Sequence, residues 1–132
     1  MEETTKKKIL IIEDEMSQRK ALVDKFTRES FQVLEARDGE EGLRVALKEQ
    51  PNIILLDIIM PKMDGMTMMK KLRQENEWGK SVPVILLTNL SSDDDKIMKG
   101  ITADEPAYYL VKSNWTINDV VEKVKERLSR SV

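Results

Sequence analysis

The stretch "NIILLDIIMPKMDG", residues 52–65, sets an acid inside an apolar run: four apolar residues lead into Asp57, three follow, and Pro61 then turns the chain. An unpaired carboxylate in apolar surroundings costs several kcal/mol or is driven to neutralise. A charge kept at such a place calls for a use that repays it. The run itself is continuous rather than alternating, which reads as a central strand of a parallel sheet covered on both faces.

Four more short apolar runs surround it: "ILII" at 9–12, "FQVLEA" at 31–36, "VPVILL" at 82–87 and "AYYLV" at 107–111. Helical patterns lie between them. The last is the clearest, since Ile117, Val120, Val121, Val124 and Leu128 fall at i, i+3, i+4, i+7 and i+11. Thr116 is its expected N-cap, Asp119 completes a capping-box-like pair at N3, and Trp115 can staple against Val120. Asp38 followed by Gly39, Glu40 and Glu41 predicts a second helix start, with Leu43, Ala46 and Leu47 on one face and an end near Gln50 and Pro51. Leu22, Val23 and Phe26 form the apolar side of the first helix, and Leu72 with neighbouring methionines that of the third. The acids at 93–95 read as the first turn of a fourth helix, capped by Ser91 or Ser92. Met60, Met63, Met66, Met68 and Met69 are expected to pack in the core or against loops. Alternating strands and helices predict a small three-layer α/β domain.

A chain of 132 residues suits one domain and leaves no room for a second of ordinary size. Charged residues make up 35% and hydrophobic ones 40%, with a net charge of -2, a globular rather than disordered composition. Residues 1–7 are expected to be a flexible lead-in and 8–130 the domain. Lys6, Lys7 and Lys8 are followed by an apolar run of only 9–12, too short for a signal peptide or membrane span. A cytoplasmic protein without membrane insertion is expected. The absence of cysteine excludes disulfides, thiolate chemistry and cysteine zinc sites, and the absence of histidine excludes imidazole catalysis. Carboxylate, hydroxyl and amine chemistry remain. Basic residues are dispersed along the helices, so no direct nucleic-acid contact is expected.

The polar residues that close the strands converge. Glu13, Asp14 and Glu15 follow "ILII", Asp57 follows "IILL", Thr88 follows "VPVILL", and Lys112 follows "AYYLV". The carboxyl ends of strands in an open α/β sheet are where ligands bind. Glu13, Asp14 and Asp57 would repel one another unless a cation joined them, and a small, hard, oxygen-rich site suits Mg2+. Lys112 adds a further positive charge. Such a site holds Asp57 ionised as a nucleophile toward a phosphoryl group, whose oxygens meet the metal, Lys112 and the Thr88 hydroxyl. Glu13 and Asp14 also suit the cap and dipole of the first helix.

At these residues the chain resembles the receiver domain of two-component response regulators: the acidic pair, "DIIMPKMDG", "LLT" and "YYLVK" stand in the family's order. The resemblance spans nearly the whole chain and implies a flavodoxin-like, doubly wound (βα)5 fold with five parallel strands in the order 2-1-3-4-5. It implies that Asp57 takes phosphate from a histidine kinase or phosphotransfer protein acting in trans. It also implies that Asp14, Asp57 and the backbone carbonyl of Ile59 ligate Mg2+ with Glu13 beside them, and that Thr88 and Lys112 contact the phosphoryl group. Thr88 and Tyr109 would then move, reshaping the helix 4/strand 5/helix 5 surface that an unidentified downstream protein reads.

This sequence departs from the family at several positions. Ser113 stands where a proline with a cis peptide bond before it is usual, Asn89 where a small residue is common, and "GITADEPAYY" replaces a shorter approach to the fifth strand. Ile59 and Leu90 are apolar where polar side chains help position an attacking water, which implies slow loss of phosphate. Two other readings follow. A receiver altered at Ser113 and Asn89 would act as a phosphorylation-independent interaction module. An aspartyl-phosphate phosphatase of the haloacid dehalogenase type would need a second acid two residues after the nucleophile, where Ile59 stands.

Overall fold

The computed structural model describes residues 6–58, 60, 62–88, 108–111 and 115–129. The elements run β1 (Lys8–Ile12), α1 (Met16–Arg28), β2 (Gln32–Ala36), α2 (Gly39–Glu49), β3 (Ile53–Asp57), α3 (Gly65–Glu75), α4 (Glu77–Ser81), β4 (Val84–Thr88), β5 (Tyr108–Val111) and α5 (Ile117–Ser129). The strands are parallel and lie in the order β2-β1-β3-β4-β5. The expected fold class and strand order are therefore met.

The continuous apolar runs divide between two cores because successive strand side chains point to opposite faces. Leu10, Ile12, Ile54, Leu56, Val84 and Leu86 face Ala46 of α2 and Met68, Met69 and Leu72 of α3. Ile9, Ile11, Ile53, Leu55, Ile85 and Leu87 face Leu22 and Phe26 of α1 and Val120, Val121 and Val124 of α5. Each such side chain contributes about 1.5–3 kcal/mol on full burial. Every residue of β3 is buried, so Asp57 ends a strand enclosed along its whole length.

Local signals set the helix ends. Asp38 caps α2 by accepting the Glu41 N–H at 2.8 Å, while the Glu41 carboxylate accepts the Arg37 N–H at 2.8 Å. The α2 helix stops at Gln50, whose left-handed backbone has φ of 45°. At α5 the reciprocal box forms: Thr116 Oγ1 accepts the Asp119 N–H at 3.2 Å, and Asp119 Oδ2 accepts the Thr116 N–H at 2.9 Å. Trp115 and Val120 share one core, as the staple requires. The N-cap of α1 is Glu15, whose carboxylate accepts the Gln18 N–H at 2.9 Å. That corrects the expectation that Glu13 and Asp14 cap this helix, since both lie in the turn before its cap. The short α4 is an addition to the sequence reading, which ran from the third helix straight to the fourth strand. Of the clustered methionines, Met60, Met68 and Met69 are buried, while Met63 and Met66 pack against the core.

The expected fourth helix at 91–95, Asn89, Leu90, the 100–107 segment and the Lys112–Ser113 bond lie outside the described residues. No described helix is long and apolar enough to cross a membrane.

Candidate functional site

The ladder places the site. Ile12 pairs with Leu56, so the residues that follow, Glu13 and Asp57, emerge side by side at the carboxyl edge of the two central strands. Leu87 pairs with Asp57 and Thr88 with Val111, which puts Thr88 at the same edge one strand further on. Tyr109 pairs with Leu86 within β5. The side chains of Thr88 and Tyr109, and Ile59 and Lys112 entirely, lie outside the described residues.

Glu13, Asp14 and Asp57 offer carboxylate oxygens that all lie within 4.8 Å of one another. Glu13 is 2% exposed and Asp57 8%, while Asp14 is open to solvent. Two unit charges at that separation repel by about 3 kcal/mol at an effective dielectric constant of about 20. A divalent cation turns that repulsion into attraction. The donor set is all hard oxygen, with one exposed member through which a hydrated ion can enter, and it fits magnesium on those grounds.

The acidic turn is held firmly. The Glu13 N–H donates to the Ala36 carbonyl at 3.1 Å, continuing the β1–β2 ladder one residue past the strand. The Glu13 carbonyl accepts from Arg19 Nη1 at 2.9 Å, and its carboxylate accepts the Glu15 N–H at 3.1 Å. On the other side, the Gly65 N–H donates to the Ile58 carbonyl at 2.7 Å. A β-carbon at Gly65 would fall 2.2 Å from the Asp57 carbonyl oxygen, so only glycine lets α3 start this close to the end of β3. Asp64 caps α3 by accepting the Thr67 N–H at 2.9 Å. Lys62 takes a left-handed backbone with φ of 66°, and its ammonium lies 3.9 Å from the buried Asp38 carboxylate. The Gly39 N–H donates to the Met63 carbonyl at 3.1 Å. The segment after Asp57 is thus anchored to the starts of both α2 and α3.

The structure brings together Glu13, Asp14 and Asp57 as the sequence predicts. Sequence reasoning missed Arg19, which is 8% exposed and spans the acidic turn and β2. Its signal was present: Arg19 falls at i, with Leu22 at i+3 and Phe26 at i+7, on the apolar stripe of α1 where a solvated arginine would not sit.

Residues 9–125 match the family described as the response regulator receiver domain. The chain is 40% identical over 95 residues to the probable transcriptional regulator ycf27 of Cyanophora paradoxa, covering 72% of this chain and 38% of that protein. It is 36% identical over 126 residues to the alkaline phosphatase synthesis transcriptional regulatory protein PhoP of Bacillus subtilis, covering 95% of this chain and 50% of that protein. It therefore spans half or less of the length of these relatives. Among solved structures, the chemotaxis response regulator CheY4 of Vibrio cholerae superposes with a TM-score of 0.83 at 27% identity, covering 94% of this chain and 99% of that one. The BeF3-activated receiver domain of Klebsiella pneumoniae RstA superposes with a TM-score of 0.80 at 26% identity, covering 94% of this chain and 99% of that one.

Proposed function

Since the chain belongs to the response regulator receiver family of two-component signalling, we propose that residues 8–130 form a phosphorylation-controlled switch whose phosphoacceptor is Asp57. The observation that carries this reading is the convergence of Asp57 with Glu13 and Asp14 within 4.8 Å at the carboxyl edge of the sheet. Asp14, Asp57 and the backbone carbonyl of Ile59 would hold Mg2+, with Glu13 beside them. When bound, the metal offsets the charge of the carboxylates and of the phosphoryl oxygens.

The chain's own residues do the rest. The Asp57 carboxylate, at the end of a buried strand, attacks the phosphorus of a phosphohistidine; a P–O bond forms as the P–N bond breaks, and the imidazole leaves with the bonding pair. The chain contains no histidine, so the donor lies outside these residues, on a histidine kinase or phosphotransfer protein. Thr88 donates its hydroxyl to a phosphoryl oxygen and Lys112 supplies a positive charge. Water later attacks the acyl phosphate, and apolar Ile59 and Leu90 leave that water poorly positioned, so the phosphoryl group persists. Movement of Thr88 and Tyr109 then alters the surface formed by the helix expected to start at 91–95, by β5 and by α5. A downstream protein, or an attached domain of the kind that would make a longer regulator, reads that surface. These residues touch no nucleic acid directly and insert into no membrane.

Intact mass after incubation with a small acyl phosphate tests this reading. The expected result is a gain of one phosphoryl group that requires magnesium and is absent from Asp57→Ala. A folded, magnesium-binding protein that gains no mass would replace the switch with a phosphorylation-independent interaction module.

A further inference from the structure

We propose that Arg19 is a positioning residue for the acidic site, holding the peptide between Glu13 and Asp14 in the orientation that magnesium binding needs. The proposal rests on the reading of that site as a magnesium-dependent phosphoacceptor. Arg19 lies on the face of α1 that carries Leu22 and Phe26, and it is buried with them. An apolar residue would fill that place without the cost of desolvating a guanidinium. The guanidinium instead reaches two partners: Nη1 donates to the Glu13 carbonyl at 2.9 Å, and Nε donates to Glu35 Oε1 at 3.0 Å.

Those two contacts make a frame. The Glu13 N–H is already bound to the Ala36 carbonyl of β2. Through Arg19 the Glu13 carbonyl is bound to Glu35, the neighbouring residue of the same strand. The Glu13 residue is thus tied to β2 at both its backbone polar groups, once directly and once through the guanidinium. Its carbonyl belongs to the peptide plane that leads into Asp14, so turning that plane swings the Asp14 carboxylate relative to Asp57. A planar fork can serve both partners from one place, whereas the point charge of a lysine cannot. Glu35 is 52% exposed, so its role is to orient the fork from the solvent side.

The alternative is that Arg19 only fastens α1 to β2. Magnesium affinity, titrated calorimetrically on protein shown to be folded, separates the two. Arg19→Met is expected to bind magnesium about tenfold more weakly or worse, the range typical when partners of metal-ligating groups are lost. Arg19→Lys should recover part of that loss, and Glu35→Gln should weaken binding by a smaller factor. Val124→Ala, which opens a hole in the apolar core that α5 shares with the sheet, provides a destabilised control and should bind as the wild type does. Magnesium affinity within twofold of wild type in folded Arg19→Met, or an equal loss in Val124→Ala, overturns the proposal. Should Arg19→Met fail to fold, Glu35→Gln decides: unchanged affinity there overturns it. A wild-type protein that binds no magnesium would instead sink the reading of the site itself, a distinct result because it does not depend on any variant.

Discussion

Gly65 shows how closely the site is built at the scale of single residues. Any side chain there would drive a β-carbon into the Asp57 carbonyl, an atom of the sheet that cannot give way as a flexible side chain would. Gly65→Ala is therefore expected to cost about 1–3 kcal/mol, the usual price of overpacking, and to slow phosphoryl uptake by displacing the end of β3. Urea unfolding and the rate of mass gain check both parts. Asp14 makes the complementary prediction. Magnesium at about a hundred times its dissociation constant should raise the unfolding free energy of the wild type by about 2.7 kcal/mol through mass action. Asp14→Asn should lose most of that increment in the same melting experiment. The convergence of Asp57 with Glu13 and Asp14 was legible because a charged residue closing an apolar strand is conspicuous in sequence. The place of Arg19 on the apolar stripe of α1 was readable from its spacing to Leu22 and Phe26, but its partners, the Glu13 carbonyl and Glu35 of β2, could not be read from sequence.

At the scale of elements, the starts of α2 and α5 were legible and the short α4 was not. The α5 start carries its whole signal within four residues, Thr116 to Asp119, and the expected box forms. Asp38→Ala should cost about 1 kcal/mol as a lost cap, with a further effect through Lys62, whose ammonium faces the same carboxylate. A double-mutant cycle with Lys62→Met would measure that coupling. The cap of α1 was misplaced by sequence because three consecutive acids, Glu13, Asp14 and Glu15, suit the position equally; the strand's extra ladder bond at Glu13 shifts the helix start to Glu15. The α4 turn has only five residues and no apolar repeat of its own. It is held by Asn76, which accepts the Gly79 N–H at 2.7 Å, and by Arg73, which donates to the carbonyls of Gly79 and Val82 at 3.0 and 2.7 Å. Such a helix depends on an arginine from the preceding element, which periodicity does not report.

At the scale of the molecule, the apolar runs locate the strands, but strand order depends on contacts between distant residues and became legible only through the family resemblance. The sheet face shared by α1 and α5 is joined by an ion pair as well as by a core that includes Phe26 and Phe31, whose rings meet edge to face at 5.2 Å. Glu29, at the end of α1, lies 2.6 Å from Lys125 of α5 and 3.5 Å from Lys25. Its hydrogen bond to Lys125, together with that lysine's charge, holds its carboxyl below the ordinary glutamate value. A depressed pKa in the folded state means the contribution is present above the ordinary glutamate range and fades as pH falls through the folded value. Glu29→Gln should accordingly lose less stability on acidification than the wild type, measured by denaturant titration from neutral pH down through the carboxylate range.

Asp57 as the phosphoacceptor is tested most directly by locating the phosphoryl group. After acyl phosphate treatment with magnesium, borohydride reduction of the acyl phosphate followed by peptide fragmentation should place the reduced residue at position 57. Reduction at Glu13, Asp14 or another acid, or a phosphoryl group that resists borohydride because it sits on a hydroxyl, would contradict the account.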